Sequence, residues 1–287
     1  SRREESLGVL ADVGETAAVI RGRDDEVLSE LDLLFACDTQ PEDVDLLARM
    51  PDGLRSVWLS PTIPVPGAAV AVAGEPLSDL ADSRVVVSPH PAVIALTHLL
   101  RPLEDLGLRS ASATLLRPAS MYDQGALDEM FEQTRALLAF HTPEAGEHFE
   151  RQMAFNLLPG PGDEDVIVDQ LSAVFGARVP IAVQTLQASV FHGFSLSLLV
   201  ELEESIGVDD LASAFDDARF VSRMNERESA SPVDAVASEE IVTGRLIPAK
   251  GLPGQFWVWA VFDNLTIGGA SNALALARRM LGSDKAR

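Results

Sequence analysis

Side chains that could carry covalent chemistry are few in this sequence. Cys37 is the single cysteine, so the chain can form neither an internal disulfide nor a cysteine-based zinc site, although a thiolate there could act as a nucleophile. Ser88 lies just before His90 and Pro89 separates them, so a serine nucleophile with a histidine base is a second arrangement. The spacing of the histidines and acidic residues matches no ligand motif, so we predict no metal site.

The overall charge excludes two classes of partner. The chain has 287 residues, of which 22 are basic and 44 acidic, and its formal net charge is −22. This balance repels nucleic acid and anionic lipid, so we predict no nucleic-acid partner. No apolar run reaches the roughly 18 residues that a membrane span requires, and there is no signal-peptide pattern, so we predict a cytoplasmic protein without a membrane partner. We interpret the acidic run 163–165 as a solvated helix N-terminus.

The first third of the sequence has the pattern of a parallel sheet. Short apolar runs bounded by turn formers are typical of buried parallel strands. A helix predicted at 41–50, where apolar residues fall at helical spacing, separates the first two runs. Strand, helix and strand at this pitch predict a doubly wound α/β sheet. The predicted strands are 33–36, 56–59, 68–72 and 85–88.

The remainder of the sequence predicts longer strands and several helices. Pro89 and Pro91 are expected to bar helix formation until after Ala92. In the helix that follows the next strand, we expect Phe131 and Leu138 to point inward. The predicted helices are 93–103, 128–140, 163–175, 209–218 and 269–281, and the predicted strands are 111–116, 241–247, 255–262 and one or two antiparallel strands within 181–201.

Four stretches carry a resemblance to a known family: SMYDQGALDEMFEQTR (120–135), FERQMAFNLLPGPG (149–162), VFHGFS (190–195) and FDNLTIGGASNALALARRML (262–281). In order and spacing they resemble the aspartate-semialdehyde dehydrogenase family. The sequence is similar in particular to the Usg-like branch of that family, whose members share the fold while often lacking the catalytic set.

The resemblance implies an α/β fold in two domains. A Rossmann-type nucleotide-binding domain is expected at 1–88 together with the C-terminal helix 264–287, and an α+β dimerisation domain with a long mixed sheet at 89–263. In the family, a strand and a GxxGxxG turn precede a segment like Ser1 to Arg3, so we expect the N-terminal βαβ element to be missing here. The cofactor is therefore unknown, and NADP is expected only if a longer natural chain supplies that glycine loop.

The resemblance also assigns the catalytic positions. Active members carry out the reductive dephosphorylation of an acyl phosphate, in which a cysteine thiolate forms a thioester, NADPH supplies hydride and a histidine exchanges protons. The cysteine position, in a turn before a helix, corresponds to Pro91. The histidine position, in a GHS-like triplet, corresponds to Phe194. Proline offers no nucleophile and phenylalanine moves no proton, so both catalytic positions are predicted to be vacant.

Three further positions are candidates for contact with a substrate. By resemblance, Gln187 stands where the family has the arginine that clamps the substrate carboxylate, and a neutral amide binds a carboxylate more weakly than a guanidinium does. Gly160 stands where the family has a substrate glutamine after FNxxP. His192 is predicted to share a strand with Phe194 and could line the same cleft.

The segment around these positions carries too many large apolar side chains for the exposed sheet of a monomer. By resemblance, this part of the fold packs against its mate across a two-fold axis, so we predict an isologous homodimer. The predicted interface residues are Val190, Phe191, Phe194, Leu196 and Leu198.

Two functions follow as alternatives. The first is a catalytically inactive homodimeric homologue that acts by binding or scaffolding, with a protein partner as one option. The second is an active NADP-dependent semialdehyde dehydrogenase of amino-acid biosynthesis with a non-standard nucleophile, for which Cys37 is the candidate in this sequence.

Overall fold

The computed structural model of this chain describes residues 7–14, 16–37, 40–59, 62–76, 80–144, 146–176, 178–224 and 229–282. The ends of the predicted first domain, 1–6 and 283–287, therefore lie outside the described residues. The described strands form a two-stranded hairpin, a four-stranded sheet and a seven-stranded sheet. The hairpin comprises β1 (Leu10–Val13) and β2 (Thr16–Val19), and the short helix α1 (Asp25–Ser29) follows it.

The four-stranded sheet is parallel, as the sequence predicts. Its strands lie in the order β3-β4-β6-β5. A 3-10 turn at Pro41–Asp45 and the short helix α2 (Leu46–Arg49) connect the first two strands at the position predicted for a helix. The strands are β3 (Leu33–Ala36), β4 (Arg55–Leu59), β5 (Ala69–Val70) and β6 (Val85–Ser88).

The seven-stranded sheet is mixed, with the order β11-β12-β13-β10-β7-β9-β8. Its strands are β7 (Ser110–Arg117), β8 (Leu157–Pro159), β9 (Ile181–Ala188), β10 (Phe194–Glu201), β11 (Val221–Arg223), β12 (Ile241–Pro248) and β13 (Gln255–Phe262). The run 181–201 therefore forms two strands, but they are not neighbours. β7 lies between them, parallel to β9 and antiparallel to β10.

Helices cover these sheets, and the helix that follows β6 begins earlier than predicted. Pro91 is the first residue of α3, and His90 caps the helix. Proline is favoured at this position because its ring presets the helical φ angle and its missing N–H would have no partner there.

Among the described residues, no helix combines the length and the apolar character needed to cross a membrane. The helices are α3 (Pro91–Leu100), α4 (Gln124–Leu138), α5 (Glu164–Phe175), α6 (Val208–Asp216), α7 (Pro232–Ala235) and α8 (Asn272–Met280).

One face of the seven-stranded sheet forms the largest core, packed against α3, α5 and α6. Phe194, Leu196 and Leu198 of β10 point into this core and are 0 % exposed. Their prediction as dimer-interface residues is therefore wrong, because helices of the same chain cover the face on which they lie. Val190 and Phe191 lie instead in the connection before β10 and keep part of their surface exposed.

The inward direction predicted for Phe131 and Leu138 is also wrong. Their exposed fractions are 57 % and 70 %. The buried stripe of α4 passes through Ala126, Met130 and Gln133, so Phe131 and Leu138, seven residues apart, share a neighbouring stripe that faces solvent. The helix packs on a small separate cluster, which covers only one narrow side of it.

The last helix, α8, packs on the four-stranded sheet. Leu276 and Met280 contact a cluster that includes Val57 of β4 and Val86 of β6. A π-helical segment at Thr266–Ser271 leads into α8 and contacts α3. The end of the chain thus packs against the first sheet and the start of α3.

His98 on α3 gives the fold a pH dependence in mild acid. The centroids of the His98 and Phe220 rings lie 4.5 Å apart. Burial lowers the pKa of His98 to about 4, and the charge of Arg219 has a smaller effect in the same direction. A histidine whose folded-state pKa lies below about 6.5 binds protons more readily in the unfolded chain, so stability is full above that pH and falls toward pH 4. The loss attributable to His98 is at most roughly 3 kcal/mol.

We expect His98→Gln to flatten the dependence of unfolding free energy on pH between 6.5 and 4. The measurement is urea unfolding at several pH values, and the matched control is His141→Gln at an exposed histidine. A His98→Gln slope equal to that of the parent would contradict the assignment.

Candidate functional site

His90 lies in the turn between β6 and α3 and is fully buried. Its backbone N–H donates to Oε1 of Gln170 on α5 at 2.8 Å, and its Nδ1 accepts a hydrogen bond from the Ala92 N–H at 3.0 Å. Because Nδ1 accepts, the proton of the neutral ring is on Nε2. The local sequence thus fixes the ring so that its N–H points away from the helix that it caps.

A buried ion pair faces that N–H. Oδ2 of Asp163 lies 3.3 Å from His90 Nε2 and 3.3 Å from Nη1 of Arg117. Asp163 directly precedes α5, and Arg117 is the last residue of β7. Asp163 is 5 % exposed and Arg117 is 4 % exposed, so the interpretation of Asp163 as part of a solvated run is wrong. A charge that would otherwise lie in solvent is held inside because an opposite charge is buried beside it.

The cluster has a defined protonation state. Burial lowers the pKa of His90 and outweighs the opposing effect of Asp163, so the imidazole is neutral at neutral pH. Burial raises the pKa of Asp163, but the contact with His90 Nε2 and the charge of Arg117 together hold the pKa below its usual range. The site therefore contains one carboxylate, one guanidinium and one neutral imidazole.

The alignment of these groups is incomplete. Within the described part of the chain, several buried polar atoms of the cluster make no hydrogen bond of good geometry. They are Nε2 of His90, both carboxylate oxygens of Asp163, and Nε and Nη1 of Arg117. The buried Oε1 of Gln187 also has no hydrogen-bond partner of good geometry. Buried polar atoms without partners are uncommon in folded proteins, so this cluster stands out chemically.

The structure brings together the two positions predicted to be vacant. Pro91 is buried next to His90, and a Cβ added to Gly268 would lie 2.6 Å from the Pro91 Cβ. The Phe194 ring contacts the His90 ring edge to face, with 6.1 Å between the ring centroids. It also stacks on the Phe262 ring, with 5.0 Å between the centroids. Apolar atoms of the chain itself therefore fill both positions.

The three candidate substrate residues have different surroundings. Gln187 joins the buried cluster, and its Nε2 donates to the backbone oxygen of Arg117 at 3.0 Å. The backbone N–H of Gly160 donates to the backbone oxygen of Thr185 at 3.0 Å. A Cβ at Gly160 would overlap the Thr185 side chain. His192 lies in the connection before β10, so its predicted place on the strand is wrong.

Neither alternative nucleophile faces this cluster. Oγ of Ser88 accepts a hydrogen bond from Asn272 Nδ2 at 2.8 Å, while His90 directs Nε2 toward Asp163. Ser88 and His90 are therefore not arranged as nucleophile and base. Cys37 is exposed after the end of β3, and β4 separates that edge strand from β6, which leads to His90.

Sequence reasoning missed Arg117 and Asp163. Two signals were available: an arginine at the end of an otherwise apolar strand, and an aspartate directly after the Gly-Pro-Gly turn at 160–162. Each residue is ordinary when considered alone. The site is identified only by the contacts of Asp163 with His90 and Arg117.

The family resemblance implies NADP as the hydride carrier. Pro91 and Phe194 are buried, and the segment containing Gly268 packs directly on Pro91. These positions thus offer no thiol on which a hydride-accepting thioester could form, and no open surface for a nicotinamide ring. The residues at the reacting centre therefore do not fit the cofactor.

Residues 100–267 match the family described as "Semialdehyde dehydrogenase, dimerisation domain". The chain belongs to the semialdehyde dehydrogenase family. The USG-1 protein homolog of Azotobacter vinelandii is 30% identical over 244 residues, which is 80% of this chain and 72% of that protein. The aspartate-semialdehyde dehydrogenase of Rickettsia bellii is 23% identical over 298 residues, which is 96% of this chain and 87% of that protein.

The fold of this semialdehyde dehydrogenase homologue agrees with that assignment. A solved structure of a probable aspartate-semialdehyde dehydrogenase from Pseudomonas aeruginosa superposes with a TM-score of 0.88 at 25% sequence identity, covering 97% of this chain and 88% of that one. The predicted family, its Usg-like branch and the α/β fold class are confirmed.

Proposed function

We propose that this chain is a homodimeric member of the semialdehyde dehydrogenase family that acts in the cytoplasm by binding and not by catalysis of the family's reaction. The observation that carries the proposal is the burial of Pro91 and Phe194 at the positions of the nucleophile and the base. Neither side chain can bond to an acyl group or move a proton.

Loss of both groups has a large expected effect on rate. A nucleophile and its base act as a unit, and removing either one eliminates most of the several powers of ten that the pair supplies. His90 is not a substitute base, because it is 0 % exposed and its Nε2 proton faces Asp163. The remaining nucleophile candidate, Cys37, lies on another edge of the fold.

We expect purified protein to show no phosphate-dependent reduction of NADP with aspartate semialdehyde above the background rate. Cys37→Ser is expected to leave that rate unchanged. Turnover above background in the parent would overturn the proposal. Abolition of such turnover by Cys37→Ser would instead support the alternative, an active dehydrogenase with Cys37 as its nucleophile.

The second part of the proposal is the dimer, and the open face of the seven-stranded sheet is the surface suited to it. This open face lies opposite the core and presents cross-strand rows of small polar and large apolar side chains. Leu199 pairs with Trp257, which is 43% exposed, and Ser197 pairs with Trp259. Arg245 borders the same hollow as Ser197, Trp257 and Trp259. A sheet face with large apolar side chains beside small ones is suited to a self-complementary contact. The match to a dimerisation-domain family supports a second copy as the occupant.

We expect the parent to sediment at twice its chain mass of 30.7 kDa and Ser197→Asp to sediment near the monomer mass. A carboxylate on the open face would be removed from water in the dimer, which is costly. The control is Ser172→Asp, at an exposed position of α5 on the opposite side of the sheet. A monomeric parent would refute the proposed assembly.

A further inference from the structure

We infer that Arg117 and His90 form a carboxylate-binding pocket that the chain's own Asp163 occupies, so that removal of this side chain creates a site for a small free carboxylate such as formate or acetate. The inference does not rest on the proposed loss of catalysis, because it concerns residues beside the vacant positions, and binding is measured instead of turnover.

The donors converge on one oxygen from two directions. Nη1 of Arg117 and Nε2 of His90 each lie 3.3 Å from Oδ2 of Asp163. Proteins bind free carboxylates with this kind of donor set, in which a guanidinium and a further N–H group are directed at one carboxylate. All three groups are at most 5 % exposed, so the attraction acts in a medium of low dielectric constant.

The three residues come from separate elements. Arg117 ends β7 and His90 caps α3, so the sheet and the helix fix both donors. Asp163 enters instead from the end of a Gly-Pro-Gly turn, in which Gly162 has φ +86°. The carboxylate is thus delivered by a short turn into a receptor that other elements hold in place.

The fit of Asp163 leaves binding capacity unused. Nε and Nη1 of Arg117 have no aligned acceptor within the described residues, and neither Asp163 oxygen has an aligned donor. A carboxylate tethered to the backbone cannot rotate freely to meet the guanidinium edge. A free carboxylate can present both oxygens to Nε and an Nη atom in the bidentate geometry that arginine favours.

The pocket also lies near a neutral amide. Nε2 of Gln187 donates to the Arg117 backbone oxygen, and its Oε1 has no aligned donor. Among the described residues, Asp163 is ion-paired with no cation besides Arg117, because His90 is neutral. The receptor is therefore matched to a single negative charge, which favours a monocarboxylate over phosphate.

The test is chemical rescue of Asp163→Ala. We expect this variant to unfold at a lower temperature than the parent in sodium chloride, and sodium acetate at equal ionic strength to raise its unfolding temperature by a few degrees with saturation. Acetamide, the neutral analogue, should not raise it. The parent, whose pocket is filled, should respond equally to acetate and chloride.

The matched control is the double variant Asp163→Ala with Arg117→Met, which lacks the receptor cation and should show no acetate-specific rise. An equal response to acetate and chloride in Asp163→Ala, or an acetate response that persists in the double variant, would overturn the inference. If Asp163→Ala does not fold in chloride, refolding from urea is the readout. Recovery in acetate alone supports the pocket, and recovery in neither salt refutes it.

Discussion

Replacing Arg117 by methionine is expected to lower the free energy of unfolding by about 3–5 kcal/mol at neutral pH. The reason is that the substitution leaves the Asp163 carboxylate buried without a cation, since both residues are at most 5 % exposed. Urea unfolding measures the effect. The matched control is Arg135→Met, because Arg135 pairs with Glu132 on the surface, where ion pairs contribute little.

A double variant separates the cost of an unpaired charge from loss of packing. Arg117→Met combined with Asp163→Leu removes both charges, and we expect it to recover much of the lost stability, because apolar residues often replace a buried ion pair without net cost. A double variant less stable than Arg117→Met alone would show that the pair contributes mainly through shape, which contradicts the electrostatic account.

The effect of Arg117→Met also has a defined pH dependence. Burial raises the pKa of Asp163, but the contact with His90 and the charge of Arg117 outweigh this effect and lower the pKa. A carboxyl with a lowered pKa stabilises the fold above the unfolded-chain pKa of about 3.9, and this contribution is lost as the pH falls through the folded-state pKa. The difference between parent and Arg117→Met should therefore shrink as the pH falls below about 3.9.

Replacing Phe194 by alanine is expected to cost about 3–5 kcal/mol of unfolding free energy without specifically dissociating the dimer. The ring is 0 % exposed and stacks on Phe262 at 5.0 Å with an interplanar angle of 5°. Its loss leaves a cavity between β10 and α3 that neighbouring side chains fill only in part. Urea unfolding gives the cost, and sedimentation reports the assembly.

The control for Phe194→Ala is Phe140→Ala. Phe140 is 98% exposed, so we expect almost no change in stability from that variant. If Phe194→Ala instead produced a stable monomer, the ring would lie at the subunit contact, as the sequence alone suggested, and the assignment of the open face would be wrong.

The residues at the two positions that the resemblance assigns to catalysis could be read without a structure. Pro91 and Phe194 offer no thiol and no imidazole whatever the geometry around them. The cluster of His90, Arg117 and Asp163 could not be found in this way. Its members are distant in sequence, and a hydrophobic or turn pattern does not show which distant side chains will meet.

Local sequence patterns were sufficient to predict the parallel strands β3, β4 and β6 and the family, because short apolar runs and residue types are local properties. The vacancy at Pro91 and Phe194 stays a prediction. Which face of β10 is covered depends on the packing of distant segments. Alternation along a strand shows that its two faces differ, but both a helix of the same chain and a second subunit can cover the apolar one. The packing of α3 and α5 buries Phe194, Leu196 and Leu198, and the same packing brings His90 to Asp163.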